Sequence, residues 1–186
     1  MKDKNTELVY SKNVLEVITV ANEFCLFIEE VDKYNKEFIL SYLQKVLPLL
    51  YLKGSLLPDV KVENEEANER YVTEEHWQNI YLALKKKLGK DDTYWNINNS
   101  DEISDNGTEI KPIKASLAEN LADIYQDLKD FLVLYQKPLT IAKENAVCEC
   151  KNLFETHWGF RVVNTHKAVH YILFKNKNTE DEDFYS

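Results

Sequence analysis

Glycine and proline are scarce in this chain, four of each in 186 residues, and that scarcity leaves little material for the many tight turns of an all-β sandwich or barrel. Cysteine is almost absent too. Three cysteines, an odd number without framework spacing, exclude a disulfide scaffold and suit a reducing compartment. No long hydrophobic run exists: the longest apolar stretch, Val46 to Leu52, carries Pro48 and is far too short to span a bilayer. The N-terminal residues are polar, and Glu16, Asn22 and Glu23 interrupt the apolar segment that follows, so a secretory signal is not expected. The expected location is the cytoplasm. Positive charge is also in deficit: 32 acidic against 23 basic residues give a formal charge of −9, which disfavours nucleic acid and anionic membranes as partners. A protein partner is expected instead.

What is present points to helices. The hydrophobic fraction of 44% with 12% aromatics suits one globular domain. Apolar residues recur at helical spacing in six segments. The first runs from Ser11 to Asp32 and is apolar around most of its circumference (Val14, Val17, Ala21, Phe24, Ile28, widened by Leu15 and Leu26), which places it at the centre of the bundle. The second, Lys36 to Leu57, contains Pro48, which removes a backbone donor and bends the helix near Gln44. After an acidic connection from Asp59 to Arg70, Thr73 caps a third helix that Gly89 closes. Residues 90–115 read as a long polar loop with Tyr94 and Trp95 as anchors onto the body. Ser116 and Glu119 form a capping box for the fourth helix, whose apolar face includes Leu121, Ile124, Leu128 and Tyr135. Pro138 opens the fifth, burying Leu139, Ala142, Ala146, Cys150, Leu153 and Phe154, and a break or bend at Gly159 precedes a sixth that ends about Phe174. The expected architecture is all-α: a single domain over residues 10–174, five to six helices packed around the first, with an acidic, disordered tail at 175–186.

Candidate chemistry is sparse. Glu119, Asp123, Asp127 and Asp130 share one stripe of the fourth helix, a spacing that can present carboxylates to a divalent metal. The stripe lies opposite the apolar face, so the expectation is a solvated surface. A metal site would need a second acidic helix, for which Glu29 and Asp32 are a loose match. His166 and His170, four apart, could ligate one metal from one helical face, but Lys167 stands where the zinc-protease pattern needs Glu. Both read as packed histidines, and His76 and His157 have no partner visible in the sequence. Cys148 and Cys150 point about 200° apart on a helix, which makes Cys150 core and Cys148 exposed. There is no phosphate loop and no nucleophile with a base. No cofactor is expected.

Three stretches carry a resemblance: Leu47-Pro48-Leu49-Leu50-Tyr51-Leu52-Lys53, the run from Leu121 to Phe131, and Trp158-Gly159 followed by Val163-Asn164 and His170. They resemble a bacterial family of domains of unknown function, the one numbered 5063 in that series, from about Tyr10 to Phe174. The resemblance implies a compact helical domain and no assigned activity, and it leads one to expect an apolar residue where His166 stands. The functional expectation is a non-catalytic helical adaptor, with a metal-dependent hydrolase using Asp123, Asp127 and Asp130 as the alternative.

Overall fold

The computed structural model describes residues 2–62, 70–96 and 112–182. Among them are seven α-helices: α1 (Lys2–Val9), α2 (Lys12–Glu29), α3 (Lys36–Gly54), α4 (Glu74–Leu88), α5 (Leu117–Tyr135), α6 (Thr140–Leu153) and α7 (Gly159–Glu182). The all-α, single-domain expectation holds. Two strands, β1 (Thr93–Asn96) and β2 (Ile113–Ser116), form an antiparallel pair with Thr93 opposite Ser116. That hairpin occupies both ends of the expected 90–115 loop; residues 97–111 of it, like 63–69 of the acidic connection, lie outside the described residues.

The helix at the centre is α5, not the first long helix. It packs against α2, α4, α6 and α7, and Leu117, Leu121, Ile124, Tyr125 and Leu128 on it have no exposed surface. Periodicity misplaced the centre because α2 is apolar nearly all round, yet Leu15 and Leu26 on it are exposed. An apolar circumference permits full burial and does not compel it.

Caps follow the sequence closely. Asn35 accepts from the Phe38 N–H at 2.8 Å to start α3, and Thr73 accepts from the His76 N–H at 3.2 Å to start α4. Ser116 caps α5 by accepting from the Glu119 N–H at 3.1 Å. Asp92, buried, completes that cap: its carboxylate accepts from the Ala118 N–H at 2.7 Å and its carbonyl from the Leu117 N–H at 2.8 Å. The hairpin and the N-terminus of α5 are therefore one hydrogen-bonded unit. Pro48 lies inside α3, where its missing N–H leaves the Gln44 carbonyl without a helical donor, the local condition for the expected bend.

Gly159 does not break the chain. A π-helical turn, Phe154–Trp158, joins α6 to α7. It inserts Trp158 fully into the core against Gly54, where an added Cβ would stand 2.4 Å from the indole Cη2. A Cβ at Gly159 would meet the Phe154 carbonyl oxygen at 2.2 Å. Further corrections concern the margins. Leu139 is 62% exposed, since α6 begins one residue later and turns it outward. The last helix continues to Glu182, beyond Phe174 and into the expected tail, and the N-terminal helix α1, outside the expected 10–174 domain, buries Val9, whose carbonyl accepts from the Tyr135 hydroxyl at 2.8 Å.

Candidate functional site

The acidic stripe of α5 is not a solvated face. Asp123 accepts from the Trp77 indole N–H at 3.0 Å and from Arg161 Nε at 2.9 Å. Asp127 is only 2% exposed, accepts from His157 Nδ1, and has the Arg70 guanidinium 3.6 Å from its other oxygen. Asp130 takes the backbone N–H groups of Tyr71 and Val72, both at 2.8 Å. Burial raises the Asp130 carboxyl above the usual carboxylate range, against the two N–H groups and Arg70, which lower it. Glu119 alone stays exposed. The stripe was misjudged because its cover comes from elsewhere in the sequence: the segment before α4, the π turn and the first turn of α7 close over it.

Asp123, Asp127 and Asp130 thus each have a protein donor, while Asp127 Oδ1 and Asp130 Oδ2 are buried without a hydrogen bond among the described residues and face the Arg70 guanidinium at 3.6 and 4.0 Å. Between them and α6 lies a cleft of about 50 Å3, with Asp127 and Asp130 on one side and Leu153 on the other, room for little more than a water molecule. Glu29, the loose match for a second acidic helix, belongs to another chain of contacts. It accepts from the Tyr125 hydroxyl at 2.8 Å and pairs with Lys129 at 2.7 Å, while His76 Nε2 stands 2.8 Å from the same hydroxyl. Because the hydroxyl hydrogen points to Glu29, His76 donates to the phenol oxygen. Partial burial raises the Glu29 pKa, and the hydrogen bonds from Lys129 and Tyr125 overcome that, holding it below the usual range.

His166 and His170 share no metal-binding group. His166 is half-buried, and the exposed His170 ring lies 4.8 Å from that of Phe174. Among the described residues, three metal-ligating side chains gather nowhere in a geometry that could hold an ion. Cys25 and Cys150 are buried, and burial pushes both thiols far up. Cys148 is half-buried rather than fully exposed. His157 and Asp92, the residues that organise the acidic helix, have no local sequence signal, since each meets its partner only across the fold.

A concave surface lies between α3 and α7. Tyr51, Leu52, Phe160 and Val163 are each between 43% and 53% exposed. Two adjoining depressions of about 260 and 400 Å3 run along this seam and share Tyr51 and Val163. The second reaches Pro48 and His166. Pro48 has no backbone N–H and presents only ring carbons, while Ser55, His166 and Lys167 give the same depression a polar margin.

Fold and surface together define a helical-bundle domain with an internally consumed acidic helix and an apolar seam. The chain belongs to the family described as Domain of unknown function (DUF5063), whose profile matches residues 8–175. It is similar to the crystal structure of protein BF1032 from Bacteroides fragilis, a structural genomics target, at 35% identity and a TM-score of 0.77, covering 89% of this chain and 94% of that one. No curated protein matches it. No helix among the described residues is long and apolar enough to cross a membrane.

Proposed function

We propose that this is a cytoplasmic, non-catalytic interaction domain that receives an amphipathic helix of a partner protein in the seam between α3 and α7. The supporting observation is the run of half-exposed apolar side chains, Tyr51, Leu52, Phe160 and Val163, lining two connected depressions. Contiguous apolar surface of this kind is a feature of binding faces, and a helix laid in a groove engages such residues at its own i, i+3 and i+4 positions. The net charge of −9 favours a partner helix with a basic outer face. The metal-dependent hydrolase reading finds less support, because Asp123, Asp127 and Asp130 are each committed to donors from other elements.

The test is site-specific photo-crosslinking in the native host, with the photoreactive residue at Tyr51 or, as a control, at the exposed Thr19 side of α2. A discrete crosslinked species is expected from position 51 alone, and it should vanish in Val163→Glu. Equal crosslinking from both positions, or none from 51, removes the proposal.

A further inference from the structure

We infer that the groove between the β-hairpin and α7 is a binding site for a small planar aromatic anion, of mononucleotide or aryl-carboxylate size. On a strand, neighbouring side chains point to opposite faces. Tyr94 turns inward, its hydroxyl accepting from Asn120 at 2.7 Å, so Trp95 is turned out. It is 65% exposed and does not anchor the loop as its size suggested. Lys114 Nζ stands 5.6 Å from the centroid of its ring, placing a further cation beside the indole.

Trp95 forms one wall of a groove of about 440 Å3, within the size range of small-ligand sites. The same groove is lined by Tyr171 of α7, 67% exposed, and by the apolar side chains of Ala168 and Ile172. Two aromatic rings with apolar neighbours suit a flat ring that stacks or packs edge-on. The rim is cationic: Lys90, Lys167 and Lys175 all line it. Its one acid, Asp91, is already occupied by Lys36 at 2.7 Å as well as by Lys175 at 3.4 Å. The pair with Lys36 holds the Asp91 carboxyl below the usual range, so it stays ionised and paired. Lys90 and Lys167 are left to face an incoming anion. Asn164 adds a neutral donor and acceptor to the lining, the kind of polar group that orients a bound ring.

The chain as a whole is acidic, which opposes a polyanion approaching over a wide front. A single small anion meets only the local rim, where the lysines outnumber the acid. This groove shares Lys167 and Asn164 with the margin of the helix-binding seam. It lies on the hairpin edge of α7, and Trp95, Tyr171 and Lys90 take no part in the seam.

Titration of the full chain with two ring-bearing anions, adenosine 5′-monophosphate and indole-3-acetate, tests the inference. Readouts are tryptophan emission and calorimetry. Trp158 is buried and Trp77 is half-buried and bonded to Asp123, so quenching by a ligand reports mainly Trp95. Saturable binding of at least one probe is expected, at least tenfold weaker for adenosine, indole, inorganic phosphate and acetate. Tyr171→Ala and Lys90→Glu, both at exposed positions, should each weaken calorimetric binding at least tenfold, while Lys45→Glu, remote from the groove, should not. No saturable binding of either anion overturns the proposal. So does equal binding of the uncharged rings, or binding indifferent to Tyr171→Ala and Lys90→Glu.

Discussion

His157 donates through Nδ1 to the carboxylate of Asp127, so the π turn between α6 and α7 is fastened to the central helix by a buried charge-assisted hydrogen bond. Arg70 approaches the other carboxylate oxygen to 3.6 Å from the segment before α4. One aspartate thus ties together three parts of the chain that are distant in sequence. Removing it takes from His157 its carboxylate partner and leaves Arg70, itself 57% exposed, with Asp130 alone.

Asp127→Ala should lower stability by about 2 kcal/mol, the scale for a hydrogen bond to a charged group whose partner, His157, is partly exposed to water. Asp123→Ala, which frees the Trp77 indole and Arg161 at a less buried place, should cost about 1–2 kcal/mol. Urea unfolding followed by circular dichroism measures both. A change below about 0.5 kcal/mol in Asp127→Ala, as for an ordinary surface site, would contradict the burial described above.

Gly54→Ala and Gly159→Ala should each destabilise by about 1–3 kcal/mol, the range for overpacking. The first drives a methyl group against the Trp158 ring and the second against the Phe154 carbonyl oxygen. The oxygen is backbone and cannot rotate away, so Gly159→Ala should be the worse of the two. Equal stability of Gly159→Ala and the parent protein would show that the π turn is not formed.

Thiol reactivity separates the cysteines. Cys148 should react with a disulfide reagent at neutral pH in the native protein, and Cys25 and Cys150 only after denaturation, because burial suppresses both access and ionisation. Labelling of all three at one rate would rule out the packing of α2 and α6.

Acid sensitivity should pass through Glu29. Its folded-state carboxyl titrates below the ordinary value of 4.5, because Lys129 and Tyr125 hold the charged form. Its contribution to stability is therefore full above that value and lost as pH falls through the folded pKa. Glu29→Gln should be less stable than the parent at neutral pH, and the difference should shrink in acid. A constant difference across the acid range would separate Glu29 from the Lys129 and Tyr125 contacts.

Millimolar magnesium or manganese should leave the melting temperature unchanged, since Asp123, Asp127 and Asp130 each already take a protein donor and the Arg70 guanidinium stands 3.6 and 4.0 Å from the remaining oxygens of Asp127 and Asp130. A rise in melting temperature that disappears in Asp123→Asn signals preferential metal binding to the folded state. That result would promote the hydrolase reading over the interaction domain.

The sequence by itself determined the local events. Thr73, Ser116 and Gly89 mark helix ends because a hydroxyl can take an end N–H and a glycine at φ 58° can turn the chain. The α5 face of Leu121, Ile124 and Leu128 follows from spacing alone. Where Glu119, Asp123, Asp127 and Asp130 would lie also followed from spacing, but their environment did not. A helical wheel gives the direction of a side chain and is silent about what stands there. His157 reaches Asp127 across 30 residues and Tyr125 reaches Glu29 across 96, so only the tertiary packing turned an apparently solvated acidic stripe into a set of interior ties. The same holds for the centre of the bundle. The sequence showed that both α2 and α5 could be surrounded, and the fold chose α5, because four neighbouring helices cover its full length while one flank of α2 is left to water.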